Sequence, residues 1–311
     1  LPLWGEVDAA HRALYAGSEL AYQHEAALRQ VALVYPVVDA AAQHSLEAAT
    51  LLVALELSKA TWVIALSAPF SDRISHYSIA GGDAAVSVTT KVRNDGRTRA
   101  KLQVVTRLID TAGAVAAQEN TQATVAPAST VDVAQSLKVM RARLWNGVAD
   151  PYLYRLSVEI RTEQGKLLDA REQAFGIREM RVDPEKGLLL NGQPYRLHGV
   201  GLHQDREGKG WALSEDDVAA DIATIREMGA NTIRLTHYQH GQTVHDLADR
   251  YGLVLWDEIP LVSMWTQGKD TQASPALLAN ARQQLSELIR QNGNHASVAT
   301  WGVANEVDFG N

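Results

Sequence analysis

The sequence predicts a multidomain chain. An immunoglobulin-like β-sandwich is expected over residues 84–182 and a parallel α/β unit over 183–311, with residues 1–83 left as an unassigned amino-terminal segment. Three observations carry this reading. Between Ala84 and Arg178 apolar and polar residues alternate with the period of half-buried strands. From Leu188 onward, four short apolar runs alternate with three stretches of helical periodicity. The change between the two patterns falls at Arg181 to Leu190.

The first fifty residues are Ala-rich (Ala9, Ala10, Ala13, Leu14, Ala21, Ala26, Ala27, Leu28) and read as helical, with breaks at Gly17 and Pro36. Leu51–Leu57, Thr61–Leu66 and Ile74–Ile79 read as three short strands, the first two joined by a turn at Ser58-Lys59. The stretch Val53 to Asp83 resembles the amino-terminal strands of insertion-sequence transposases with a ribonuclease-H-like core. Glu56 falls near the position of their first metal-binding acid, whereas the plain reading is a hairpin with a solvent-facing Glu56.

In the second region Val86, Val88 and Val92 alternate with Ser87, Thr89, Lys91 and Arg93, and Asn94-Asp95-Gly96 has the composition of a turn. Leu102–Ile109 and Tyr154–Ile160 repeat the pattern. Strands at this spacing within about a hundred residues, with no helical period between them, suit an antiparallel sandwich of immunoglobulin size.

The third region opens with a hairpin signal, Asn191-Gly192. Ser214 with Asp217 three residues later is a capping box for a helix whose buried stripe is Val218, Ile222, Ile225 and Met228, closed by Gly229. Thr232–Leu235 is a strand. Val244, Leu247 and Ala248 stripe a second helix ending at Tyr251-Gly252, and Val254–Trp256 is the next strand. Leu278, Ala281, Leu285, Leu288 and Ile289 stripe a third helix after Pro275, and Val298–Val303 is the fourth strand.

Each of these strands ends in polar residues. His203 comes after the first, and Arg234 and His237 lie at the end of the second. Asp257 and Glu258 close the third, and Asn305 and Glu306 the fourth. Taken singly, a His at a strand end is more often a satisfied surface residue, and Asn-Glu a loop start. Four such ends in one parallel unit point to a site, because α/β barrels keep their chemistry at the carboxyl ends of their strands.

The segments LLLNGQPYRLHGVGLHQD, GANTIRLTHYQH, LADRYGLVLWDEIP and NHASVATWGVANE resemble, in order and spacing, glycoside hydrolase family two, with bacterial β-galactosidases the nearest likeness. DPYLYRLSVEI and FGIREMRVD resemble the end of that family's immunoglobulin-like domain. The resemblance implies the first half of a (β/α)8, or TIM, barrel and a retaining glycosidase acting on a terminal β-galactoside or related oligosaccharide. Glu306 then matches the general acid/base and Asn305 a contact to the sugar 2-hydroxyl. His203, Arg234 and His237 match substrate-positioning residues, and Glu258 is a further substrate-site candidate. Glu306 would have to hold its proton near neutral pH, through burial or a second carboxylate. The family's nucleophile lies near the seventh strand, outside these motifs, so this chain alone is expected to be inactive. No metal or cofactor is expected, since Leu261-Val262-Ser263-Met264 lacks the Glu and His with which some relatives bind magnesium. β-Glucuronidase and β-mannosidase of the same family are the alternative activities. An inactive remnant and a fusion with a transposase piece are the alternative origins.

Composition limits the rest. The 311 residues are 46% hydrophobic with a net charge of −7, which offers no basic footprint for nucleic acid. There is no cysteine, which excludes disulfides and thiolate metal sites. No apolar run is long enough for a membrane span, and no signal peptide is visible after Leu1. Localisation and oligomeric state are not legible.

Overall fold

The computed structural model describes the backbone of residues 52–57, 62–67 and 77–80, and residues 82–262 and 274–306 with their side chains. The expected helical segment 1–50 and the surroundings of Glu56 lie outside the described residues.

Strands β1 (Leu52–Leu57) and β2 (Trp62–Ser67) pair antiparallel. Then come β3 (Tyr77–Ala80), β4 (Asp83–Asn94), β5 (Ala100–Ile109), β6 (Val115–Val125) and β7 (Ser129–Val139). Two short strands, β8 (Trp145–Asn146) and β9 (Asp150–Pro151), lead to β10 (Tyr154–Thr162) and β11 (Leu167–Phe175). Two antiparallel sheets result, ordered β3-β4-β7 and β11-β10-β5-β6. Period-2 alternation turns Val86, Val88, Leu108, Leu137, Val139 and Leu156 inward to one core. β3 corrects the expected sandwich boundary. Its four residues pair with β4 from Tyr77↔Val86 to Ala80↔Asp83, so the three-stranded sheet begins upstream of residue 84. Gly82, at φ +86°, allows the tight reversal between the two strands.

The other boundary also moves. β12 (Met180–Asp183) pairs with β13 (Gly187–Leu190), which pairs with β14 (Gln193–Pro194). A cut between 182 and 183 would divide β12 from its last residue. Asn191 and Gly192, at φ 52° and 76°, make the hairpin turn expected of them.

The parallel unit comes next. β15 (Gly199–Leu202), β16 (Thr232–Leu235), β17 (Val254–Glu258) and β18 (Val298–Gly302) form one sheet in sequence order, every pairing parallel. Helices α1 (Glu215–Glu227), α2 (Gln242–Tyr251) and α3 (Pro275–Asn292) connect them. The expected capping box is formed. Asp217 N–H donates to Ser214 Oγ, and Ser214 N–H donates to the Asp217 carboxylate. Gly252 ends α2 at φ 77°, and Pro275 opens α3. Ile222, Ile225, Ile233, Leu235, Leu247, Leu255 and Leu288 share one core between helices and sheet. Met228 is not part of the stripe. It is 65% exposed, because it is the C-cap and the chain turns away at Gly229. Leu278, near the start of α3, is likewise exposed.

The sandwich is fastened to the amino ends of the barrel strands. Trp145 is fully buried and donates from Nε1 to Asp249 O at 2.8 Å. Arg178 donates to Ala296 O and Val298 O, at the start of β18. Trp145, Met180, Leu190, Val254, Ala296 and Ala299 close the apolar contact. The opposite face, at the strands' carboxyl ends, is the end at which α/β barrels place active sites.

Candidate active site

Alternation along each barrel strand decides which side chains enter the lumen. In β16, Ile233 and Leu235 face the helices, so Arg234 faces inward. In β17, Leu255 joins the helix-side core, and its neighbours Trp256 and Glu258 take the other face. The register then brings Arg234 opposite Trp256, Trp256 opposite Thr300, and Glu258 opposite Gly302.

Glu258 is the centre. Its side chain is 1% exposed, and Arg234 donates to it twice, Nε to Oε2 at 3.0 Å and Nη2 to Oε1 at 3.3 Å. His237 Nδ1 lies 2.7 Å from Oε1, which makes Nδ1 the protonated nitrogen of the ring. Arg234 Nη2 also lies 3.5 Å from His237 Nδ1. The two donors cannot bond to each other, so the shorter carboxylate contact governs the ring. Arg234 Nη2 donates further to Asn305 Oδ1 at 3.1 Å. Burial pushes the Glu258 carboxyl up, and the opposing pull of Arg234 and His237 does not fully offset it. Asn305 is buried, and its N–H donates to Leu261 O at 2.8 Å, which locks the end of β18.

The structure thus joins Arg234, His237, Glu258 and Asn305 in one network. His203 adjoins it, its ring edge-on to that of His237 at 5.2 Å. Glu306 follows Asn305 directly, with φ 51°, and is exposed. Both Glu258 oxygens accept from side chains of the network. The carboxylate holds Arg234 and His237 in position.

Two participants escaped the sequence reading. Trp256 lies under the Arg234 guanidinium, 5.0 Å from Cζ to the ring centroid. Gly302 is the space into which these side chains fit: a Cβ there would stand 2.5 Å from Glu258 Cβ and 2.6 Å from Trp256 Nε1. A glycine inside an apolar strand is the only mark it leaves in the sequence. Among the described residues no cluster of three His, Asp or Glu side chains could hold a metal ion.

The four-stranded parallel unit thus carries an Arg–Glu–His network at its carboxyl end, with Asn-Glu after the fourth strand. Comparison with known families narrows this. Residues 73–178 match the model of glycosyl hydrolases family 2, and residues 181–311 match that family's TIM barrel domain. The chain belongs to glycosyl hydrolase family 2. Residues 73–83 lie in the family match, so the transposase likeness keeps only the part before residue 73. A beta-glucuronidase of Bacteroides fragilis is 44% identical over 174 residues, which is 55% of this chain and 25% of that protein. A beta-galactosidase of Bacteroides ovatus is 29% identical over 226 residues, 72% of this chain and 26% of that protein. The crystal structure of a Bacteroides uniformis beta-glucuronidase superposes with a TM-score of 0.67 at 27% identity, over 83% of this chain and 28% of its own. The chain therefore spans roughly a quarter of the length of the relatives it matches.

Proposed function

We propose that the protein is a retaining glycosidase that releases a terminal β-linked hexopyranose, with Glu306 as general acid/base. The observation that carries this is the Arg234–Glu258–His237–Asn305 network, set immediately before Glu306 at the carboxyl ends of the strands. In a retaining mechanism one carboxyl protonates the leaving oxygen and later activates water, while a second attacks the anomeric carbon from about 5 Å away. Glu306 takes the first role. Glu258 does not take the second, since its oxygens are committed to Arg234 and His237. The attacking carboxylate is expected from a later barrel strand, and the 311-residue chain by itself is expected to give no turnover. Asn305, held by Arg234, contacts the sugar 2-hydroxyl, and His203 and His237 line the glycone.

The sugar is either a β-galactoside, as the motifs alone imply, or a β-glucuronide. The 44% identity to a protein named beta-glucuronidase favours the glucuronide. Paired assays on 4-nitrophenyl β-glucuronide and 4-nitrophenyl β-galactoside with the complete barrel decide between them. In that enzyme Glu306→Gln should slow hydrolysis of alkyl glycosides by roughly 10²–10⁴-fold, and of nitrophenyl glycosides less in the glycosylation step. Azide should rescue the second step. Equal small losses on both leaving groups, without azide rescue, would remove Glu306 from the role.

A further inference from the structure

The loop from β15 to α1 exposes Trp211, the most exposed aromatic residue among the large hydrophobic side chains described (66%). Nothing about the loop is slack. Arg206 N–H donates to Gly210 O, and Gly210 N–H donates back to Arg206 O. The Arg206 guanidinium binds Asp217 in the first turn of α1 and Asp221 one turn on, and Lys209 Nζ binds Asp217 at 2.6 Å. Gly208 and Gly210, at φ 75° and 55°, supply the left-handed turns this bracing needs. A large apolar face is therefore held in water by a rigid support, where burial would have been favourable.

Trp211 is also placed. Its ring lies 4.8 Å from that of Tyr238, the planes tilted 33°. Tyr238 is fixed from below: it stacks on buried His240 at 5.2 Å, and its hydroxyl accepts from Gln204 N–H at 3.1 Å. Tyr238 in turn is 6.2 Å from His203, whose ring meets His237. Ring contacts link the Glu258 network to Trp211 in the order His237, His203, Tyr238, Trp211.

Resting on the glycosidase reading above, we propose that Trp211 and Tyr238 form the subsite for the leaving group, and that its ligand is a flat ring face, aryl or pyranose, bonded to the sugar being released. The inner rings serve the glycone; the outer pair lies one ring further from Glu258. Apolar C–H faces of sugars and aryl rings both stack on indole, and the rigid support avoids an ordering cost on binding.

The test is binding, which needs no nucleophile. Ligand-observed NMR on the complete barrel, with turnover blocked by Glu306→Gln in every sample, gives Kd for methyl and phenyl β-glucuronide and for methyl and phenyl β-galactoside. The phenyl glycoside of the preferred sugar should bind several-fold tighter than the methyl glycoside. Trp211→Ala should weaken the phenyl glycoside roughly three- to tenfold and the methyl glycoside less than twofold. Trp211→Phe should keep most of the difference, and the thermal midpoints should match that of the barrel with Trp211 intact. Equal binding of methyl and phenyl forms with Trp211 intact overturns the subsite, and does so without any change at Trp211. Equal weakening of both forms in Trp211→Ala also overturns it. A complete barrel that binds none of the four overturns the glycosidase reading and the subsite with it. A chain that binds both forms, with their ratio unmoved by Trp211→Ala, overturns the subsite alone.

Discussion

Two acid–histidine pairs sit back to back on neighbouring residues of β17, and their difference shows what makes such a pair a site. On the lumen side Glu258 meets His237 at 2.7 Å; on the helix side Asp257 meets His245 at 2.9 Å. Lengths and chemistry are alike. The second pair is sealed at 0% exposure on both sides, with Asn292 donating to Asp257 Oδ2 at 2.6 Å and Gly241 O close to His245 Nδ1. The first pair is buried only at the carboxylate. Arg234 and His237 remain 27% and 22% exposed, with Asn305 beside Arg234. A buried carboxylate beneath partly exposed cationic and imidazole groups fixes donors where a substrate can reach them. The same groups sealed on all sides join α2 and α3 to the sheet. Strand alternation alone assigns the two roles.

The largest effect expected from breaking this contrast is on stability. Asp257→Ala leaves His245 and Asn292 buried without their acceptor and should cost about 3–5 kcal/mol in urea unfolding. Glycoside affinity per folded molecule should be unchanged. A loss of affinity beyond that explained by unfolding would show that the helix-side pair is not merely structural. Glu258→Gln should do the reverse. It keeps the volume but removes the charge that aligns Arg234 and His237, so stability should fall by only about 1–3 kcal/mol while glycoside affinity falls most. Wild-type affinity in Glu258→Gln would separate the network from substrate binding. Gly302→Ala comes next: its Cβ would be driven into Glu258 and Trp256, an overpacking cost of about 1–3 kcal/mol, with the Arg234 contacts disturbed. An unchanged unfolding midpoint would mean that β17 and β18 separate more readily than their pairing implies.

These pairs also mark the limit of what the sequence disclosed. The four strands, three helices and their caps were legible because each is a local rule: period, capping box, Gly252 at a left-handed C-cap. Arg234, His237, Asn305 and Glu306 are legible as candidates because each follows or interrupts an apolar run at a strand's end. Glu258 was found with them, but its burial was not, since that depends on Gly302 across the register. The helix-side network was unreadable because His245, Asp257 and Asn292 come from three elements and only the packing brings them together. Met228 was misjudged for the opposite reason. Periodicity continues through residues where the chain itself turns.

The smallest expected effect concerns pH and belongs to the sealed side. Burial pulls the His295 imidazole down, but its bond to Asp249 (Nδ1 to Oδ2, 2.7 Å) and that carboxylate's charge outweigh it, and the net shift is upward. A histidine raised in the folded state contributes stability that is fully present below its unfolded value of about 6.5 and is lost as pH rises through the folded value. His240 has the opposite sign. Burial under Tyr238 lowers it, so its stabilisation is present above about 6.5 and is lost as pH falls through its lower folded value. In the intact chain the two contributions partly cancel around neutrality, so the wild-type profile alone decides nothing. The expected outcome is a difference between variants. His295→Gln should remove a stability that declines on the alkaline side, so the gap to wild type should narrow as pH rises above 6.5. His240→Gln should remove one that declines on the acid side, so its gap should narrow as pH falls. Urea midpoints at half-unit steps from pH 5.5 to 8.5 read both. Parallel profiles for the two variants would mean that Asp249 does not hold a charged His295, and that the Asp249–His295 contact is a neutral hydrogen bond.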